Sequence, residues 1–208
     1  MREARLSSLL PLFPLDLVLF PGASLPLHIF EPRYREMISE CLAQNQPFGV
    51  VRSKDGGVAE IGCTAAILEV TKKYDDGRMD IATEGRRRFE VMQLNHDRSF
   101  LRAEVFYLED EPTRAKPEQV ARVVKLHGEI MSLAGAEAES ATEADEKQLS
   151  FRLASSLPLD LDFKQSLLAM KSEEERLPAL IAAFEAILPA VRRTMHLRRK
   201  AGGNGHGG

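Results

Sequence analysis

The chain has 208 residues, of which 44% are hydrophobic and 28% charged, with a formal net charge of −3 and a pI near 6.0. That length can bury a real core in one large domain or two small ones. The charge balance gives no electrostatic case for a nucleic-acid protein, and no apolar run approaches the length of a membrane span.

The stretch Leu9 to Gln44 organises the rest. Its apolar runs Leu9–Phe13 and Leu17–Phe20 are punctuated by Pro11, Pro14 and Pro21. Proline removes a ladder donor and fixes φ, so strands here must be short, bent or on an edge. A third run, Leu25–Phe30, leads into Glu31-Pro32, which reads as a helix start with proline in the first turn. Tyr34, Met37, Ile38, Cys41 and Leu42 then recur at helical spacing, forming an apolar stripe. Glu31 at that helix start favours the dipole and can accept from free backbone N–H groups.

Asn45-Gln46-Pro47 ends the helix and Phe48–Arg52 reads as a strand. A turn follows at Lys54–Gly57, with its two glycines supplying positive φ. Thr64–Lys73, the Asp75-Asp76-Gly77 turn and Arg78–Thr83 give a hairpin. Gly85 interrupts the pattern before two further strands, Arg88–Leu94 and Phe100–Leu108. Seven or so short strands and one helix predict a small, partly closed barrel with few free edges.

Glu109–Pro117 is acidic and proline-bracketed, the composition of a linker. Beyond it the period changes. Pro117 opens a helix with Val120, Val123, Val124, His127, Ile130, Met131 and Ala134 on one face. Gly135–Glu146 is acidic and small-residued, as in a loose loop. Short helices follow at Leu149–Leu157 and, capped by Asp162, at Phe163–Met170. Ser172 and Glu175 form a capping box for a last helix that Pro178 and Pro189 should kink or restart. The predicted fold class is α+β: an amino-terminal, mostly antiparallel β pseudo-barrel with one helix over residues 9–110, then a helical bundle over 117–199. Residues 200–208, glycine-rich, are expected to be a disordered tail.

The string PLFPLDLVLFPGASLPLHIFEPRY (Pro11–Tyr34) resembles the start of the Lon protease amino-terminal, substrate-binding domain, in its stand-alone bacterial form without ATPase or peptidase. FGVV at Phe48–Val51, IGCTAAI at Ile61–Ile67 and ATEGRRRFEV at Ala82–Val91 fall in that family's order. The resemblance implies a PUA-like barrel and a non-catalytic polypeptide-binding module. Its partners would be unfolded or damaged polypeptides, with or without a separate protease, and it would need no cofactor.

The residues themselves offer little chemistry. No Gly-Lys pair occurs, so no GxxxxGK[ST] phosphate loop exists, and no serine and lysine lie in a pattern like the family's peptidase site. His28, His96, His127, His196 and His206 show no metal-ligand spacing. Cys41 and Cys63 read as buried reduced thiols. The prolines and Asp16 argue against a signal peptide, and the expected location is the cytoplasm. Arg86, Arg87 and Arg88 form the most conspicuous basic cluster, and Arg192, Arg193, Arg198, Arg199 and Lys200 form a second near the end of the chain. The first cluster defines an alternative, an RNA- or nucleotide-binding barrel, against which pairing with Glu84 and Glu90 and the lack of interleaved aromatics both count. Function is therefore expected on apolar surface. Leu15, Leu17, Val18, Phe20 and Leu25 cannot all be core in so short and irregular a stretch, and an exposed apolar patch marks an interaction site.

Overall fold

The computed structural model describes residues 9–113, 115–135 and 148–203, with side chains as far as Met195. The residues preceding Leu9, most of the acidic segment after Gly135 and the tail from 204 lie outside it, and with them the expected loose loop and most of the expected disordered tail. The chain divides into two compact units. One comprises the chain through Asp110 together with Ser155–Ala169, and the other comprises Glu111–Ala154 and the chain from Met170.

The first unit holds seven strands: β1 (Leu10–Leu15), β2 (Ser24–Ile29), β3 (Phe48–Lys54), β4 (Gly57–Val58), β5 (Ile61–Lys73), β6 (Met79–Asn95) and β7 (Arg102–Leu108). Neighbours run β1-β7-β6-β5-β3-β4, and a further β1–β3 pairing closes β1, β7, β6, β5 and β3 into a ring. That pairing is parallel, Leu12↔Gly49 through Leu15↔Arg52, while the others in the ring are antiparallel. A parallel pair needs a crossover. Here β2 and helix α1 (Pro32–Gln44) supply it. The mixed β-plus-helix architecture is that expected from the sequence.

Two details of the expected strand layout change. Leu17–Phe20 is irregular rather than a strand. Gly85 does not interrupt the sheet, since β6 runs through it for 17 residues. At Gly85 the backbone of the Phe20–Ala23 loop comes close: Gly22 N–H donates to Gly85 O (2.8 Å) and Gly85 N–H donates to Ala23 O (2.9 Å). A Cβ there would sit 2.1 Å from Phe20 O. The glycine is thus a close-approach residue inside a strand. The β3–β4 turn takes its positive φ from Asp55 (50°) and Gly56 (79°), not from two glycines.

Helix α1 buries Tyr34, Met37, Ile38 and Cys41 in a cluster with Phe13, Phe48, Val50, Cys63 and Ile81. Leu42, the fifth member of the expected stripe, is 39% exposed. A second cluster joins Leu10, Leu12, Val51, Phe89 and Ala103. Glu31 makes no side-chain cap to the helix and instead pairs with Arg33 at 2.8 Å.

Within the same unit, helix α4 (Leu161–Ala169) packs on β5, and Gln165 Nε2 donates to Ile61 O at 2.9 Å. Its cap is Asp160, which accepts from the N–H groups of Asp162 (2.9 Å) and Phe163 (3.0 Å). Asp162, the expected cap, instead takes Arg52 and Lys54, each at 2.6 Å.

The second unit is helical: α2 (Pro117–Ala134), α3 (Leu149–Ser155) and α5 (Glu173–Gly203), the last running on through Pro178 and Pro189. Val123, Leu126, His127 and Ile130 are the buried face of α2. Leu177, Leu180, Phe184 and Leu188 are buried along α5, and Arg122–Glu185 and Arg192–Glu129 ion pairs link the two helices. Ser172 caps α5, its Oγ accepting from Glu175 N–H at 3.3 Å, while the Glu175 carboxylate takes the N–H of Lys171.

Candidate functional site

The proline-rich segment after β1 splits by burial. Leu19 and Phe20 are core, with Phe20 only 1% exposed. Phe20 is thereby removed from any contact surface: its ring is packed inside and its carbonyl lies over Gly85. Leu15, Leu17, Val18 and Leu25 are half-buried. Of these, Leu15, Leu17 and Leu25 pack from outside against the cluster that holds α1. Anchored by the Gly22 and Ala23 bonds to Gly85, this loop presents apolar side chains with little backbone freedom.

The three arginines part company. Arg88 is 4% exposed and structural, donating to Leu168 O (2.7 Å) and pairing with Asp110 (2.5 Å). Arg86 pairs with Glu84 at 2.9 Å. Arg87 reaches Glu109 at 2.6 Å with its guanidinium 4.2 Å from the Tyr107 ring centroid. Glu90, an expected partner, is replaced by Glu109 and Asp110 across the β6–β7 pair. Sequence distance hid both.

Between Cys63↔Arg88 and Ala65↔Gly85 the β5–β6 register slips, so that Arg86 and Arg87 together face Thr64. The Thr64 hydroxyl accepts from Arg87 N–H at 3.0 Å. Such a bulge re-aims side chains, and both arginines line one groove of about 290 Å³. Leu42, Pro47, Ala66 and Ile67 supply its apolar lining. The bulge leaves no mark in the sequence. The exposed Leu42 sits at a stripe position that periodicity assigns to the core.

Other polar groups are satisfied locally. His28 Nδ1 lies 2.5 Å from Asp80 Oδ1, and Tyr74 OH donates to the other carboxylate oxygen at 2.9 Å. The hydrogen bonds from His28, then Tyr74, hold the Asp80 carboxyl below its usual range. In the helical unit, Ser150 Oγ donates to Glu173 (2.7 Å) and Arg176 pairs with the same carboxylate (2.9 Å). All three are buried, so they form a closed polar knot rather than a cleft. Burial pushes the thiol of Cys41 up to about 11 and that of Cys63 up to about 12. Both are free thiols. Among the described residues no group of three or more His, Cys, Asp or Glu could hold a metal ion, and no helix is long and apolar enough to cross a membrane.

A sequence profile described as the ATP-dependent protease La (LON) substrate-binding domain matches residues 9–183. The chain belongs to the LON substrate-binding domain family. Lon protease of Buchnera aphidicola subsp. Baizongia pistaciae is 26% identical over 209 residues, covering 92% of this chain and 26% of the relative. Lon protease of Escherichia coli K12 is 25% identical over 210 residues, with the same coverages. The chain thus spans about a quarter of the length of these relatives. The crystal structure of a Lon N-terminal domain protein from Xanthomonas campestris matches with a TM-score of 0.68 and 31% identity, over 84% of this chain and 98% of that one. The N-terminal domain of Mycobacterium avium complex Lon protease shares the fold, with a TM-score of 0.58 and 18% identity over 86% and 98% of the two chains. As a LON-family substrate-binding domain, the chain is a recognition module in architecture.

Proposed function

We propose that this LON-family chain is a non-catalytic, cytoplasmic polypeptide-binding module for unfolded or damaged proteins, an adaptor in protein quality control that acts without ATP, alone or beside a separate protease. Its contact surface is the loop face carrying Leu15, Leu17, Val18 and Leu25. The observation that carries this reading is the half-burial of those side chains, Leu17 and Val18 on the loop pinned to β6 at Gly85 and Leu15 and Leu25 on the strands at its two ends, within a family described by substrate binding. Apolar groups held at a surface by a stiff backbone lose little entropy on meeting an extended chain, which favours capture of exposed hydrophobic segments.

The test is fluorescence anisotropy with labelled, reduced and carboxymethylated α-lactalbumin as a permanently unfolded client. Binding should persist with rising salt and be indifferent to ATP. Leu17→Asp and the milder Leu17→Ser should weaken it about tenfold or more while the circular-dichroism melt stays near that of the parent. Unchanged affinity in a folded Leu17→Ser chain would place the surface elsewhere. Steep loss of binding with salt would overturn the apolar reading altogether.

A further inference from the structure

We propose that the groove beside the Arg86–Arg87 bulge binds the carboxy-terminal end of an extended polypeptide whose last side chain is apolar. This rests on the polypeptide-binding reading above and names a second, chemically distinct contact for it. The terminal carboxylate lies between the two guanidiniums, and the last side chain sits on Leu42, Pro47 and Ile67.

The first argument is the pair of arginines. The bulge opposite Thr64 puts two consecutive arginines on one groove, which an unbroken strand would send to opposite faces. Both side chains remain about half exposed, Arg86 at 52% and Arg87 at 54%, whereas Arg88 is locked into the fold. Their current partners, Glu84 and Glu109, make surface pairs of the kind that contribute little and exchange readily. Glu109, 77% exposed, is the easier to displace. Stacking over Tyr107 holds Arg87 without using its donors, so that displacing Glu109 leaves the planar fork that suits a carboxylate.

The second argument is the lining. Leu42 is 39% exposed although it belongs to the stripe that α1 otherwise buries. It lines the same groove as Pro47, Ala66, Ile67 and the two arginines. A groove lined by both apolar side chains and two arginines complements an apolar side chain carrying a carboxylate on the same residue. A chain terminus has that combination, whereas an internal peptide segment lacks the backbone carboxylate. A nucleic acid would place its phosphates on the arginines and meet only one groove aromatic, Tyr107, for its bases.

Two fluorescein-labelled decapeptides that differ only in a free carboxylate or an amide after a final leucine discriminate the readings, measured by anisotropy. The free acid should bind about tenfold more tightly or better, and the Arg86→Gln/Arg87→Gln double variant should abolish that preference. Leu42→Asp should weaken the free acid. Leu42 is already exposed, so this variant should fold, and Arg87→Lys should recover part of the preference. Equal affinity for acid and amide overturns the inference. If carboxymethylated α-lactalbumin still binds in that case, the general reading stands and only the terminus pocket is lost. A single-stranded oligonucleotide that displaces the free-acid peptide more readily than a carboxylate peptide does would also overturn it.

Discussion

Cys41 and Cys63 show how burial alone sets the chemistry of a side chain. Each thiol is sealed in the cluster around α1, 1% and 0% exposed, and desolvation disfavours the thiolate. In the unfolded chain the thiols ionise near their ordinary value, roughly 8.5. In the fold they hold their protons to about 11 and about 12. Stability from these groups is complete below the unfolded value and falls as pH rises toward the folded ones. By pH 10 the loss should be on the order of 2 kcal/mol for each thiol. Urea midpoints between pH 8 and pH 10 should drop less in Cys41→Ala and Cys63→Ala chains than in the parent, and native protein should resist iodoacetamide at pH 8 until unfolded. Rapid labelling of folded protein would show that the thiols are accessible. Their burial was legible from the sequence, because Cys41 falls on a helical stripe and Cys63 in a strand pattern. Phe20 was not: a phenylalanine between prolines reads equally as loop surface or as core, and the approach of its carbonyl to Gly85 decided the matter.

Among the elements, the helix starts separate local rules from long-range ones. The sequence pattern points to Asp162 as the cap of α4. The backbone gives the role to Asp160, freeing Asp162 to hold Arg52 and Lys54 from β3. Asp160→Ala should lower stability by about 1 kcal/mol, and Asp162→Asn by less, because its ion pairs are exposed and screened. Denaturant unfolding with added salt separates them: the Asp162→Asn effect should shrink with salt and the Asp160→Ala effect should persist. Strand β6 makes the same point at larger span. Its alternation around Met79, Ile81 and Thr83 was readable. Its passage through Gly85 and its bulge at Arg86–Arg87 depend on what lies beside it, and no local pattern reports a neighbouring strand's register.

At the scale of the whole molecule, each unit holds one buried arginine among the described residues. Arg88 ties β6 to Asp110 and to the carbonyl end of α4. Arg176 joins α5 to Ser150 of α3, pairs with Glu173 in the first turn of the same helix and lies 4.3 Å from the Phe151 ring centroid. Removing one side of a buried charge pair strands the other, at about 3–5 kcal/mol. Arg176→Met should therefore be severe, and more so at pH 8 than at pH 5. Burial already pushes the Glu173 carboxyl up, and without the guanidinium it can settle only by taking a proton, so stability falls as pH rises through its folded value. Arg88→Met removes the guanidinium from a partly exposed Asp110 and should be milder. Thermal melts of both variants at the two pH values check this, and a pH-independent Arg176→Met defect would mean that Glu173 finds another donor.

The sequence by itself determined the α+β class, the helix after Glu31-Pro32, the change of period beyond residue 117 and the resemblance to Lon amino-terminal domains. Each follows from local spacing, proline placement or the order of short motifs along the chain. Tertiary structure alone decided that β1 closes on β3, that Phe20 is interior, that Asp160 rather than Asp162 caps α4, and that Arg86 and Arg87 share a groove while Arg88 does not. These outcomes depend on contacts between residues far apart in the chain, where burial and register are set by the partner strand or helix.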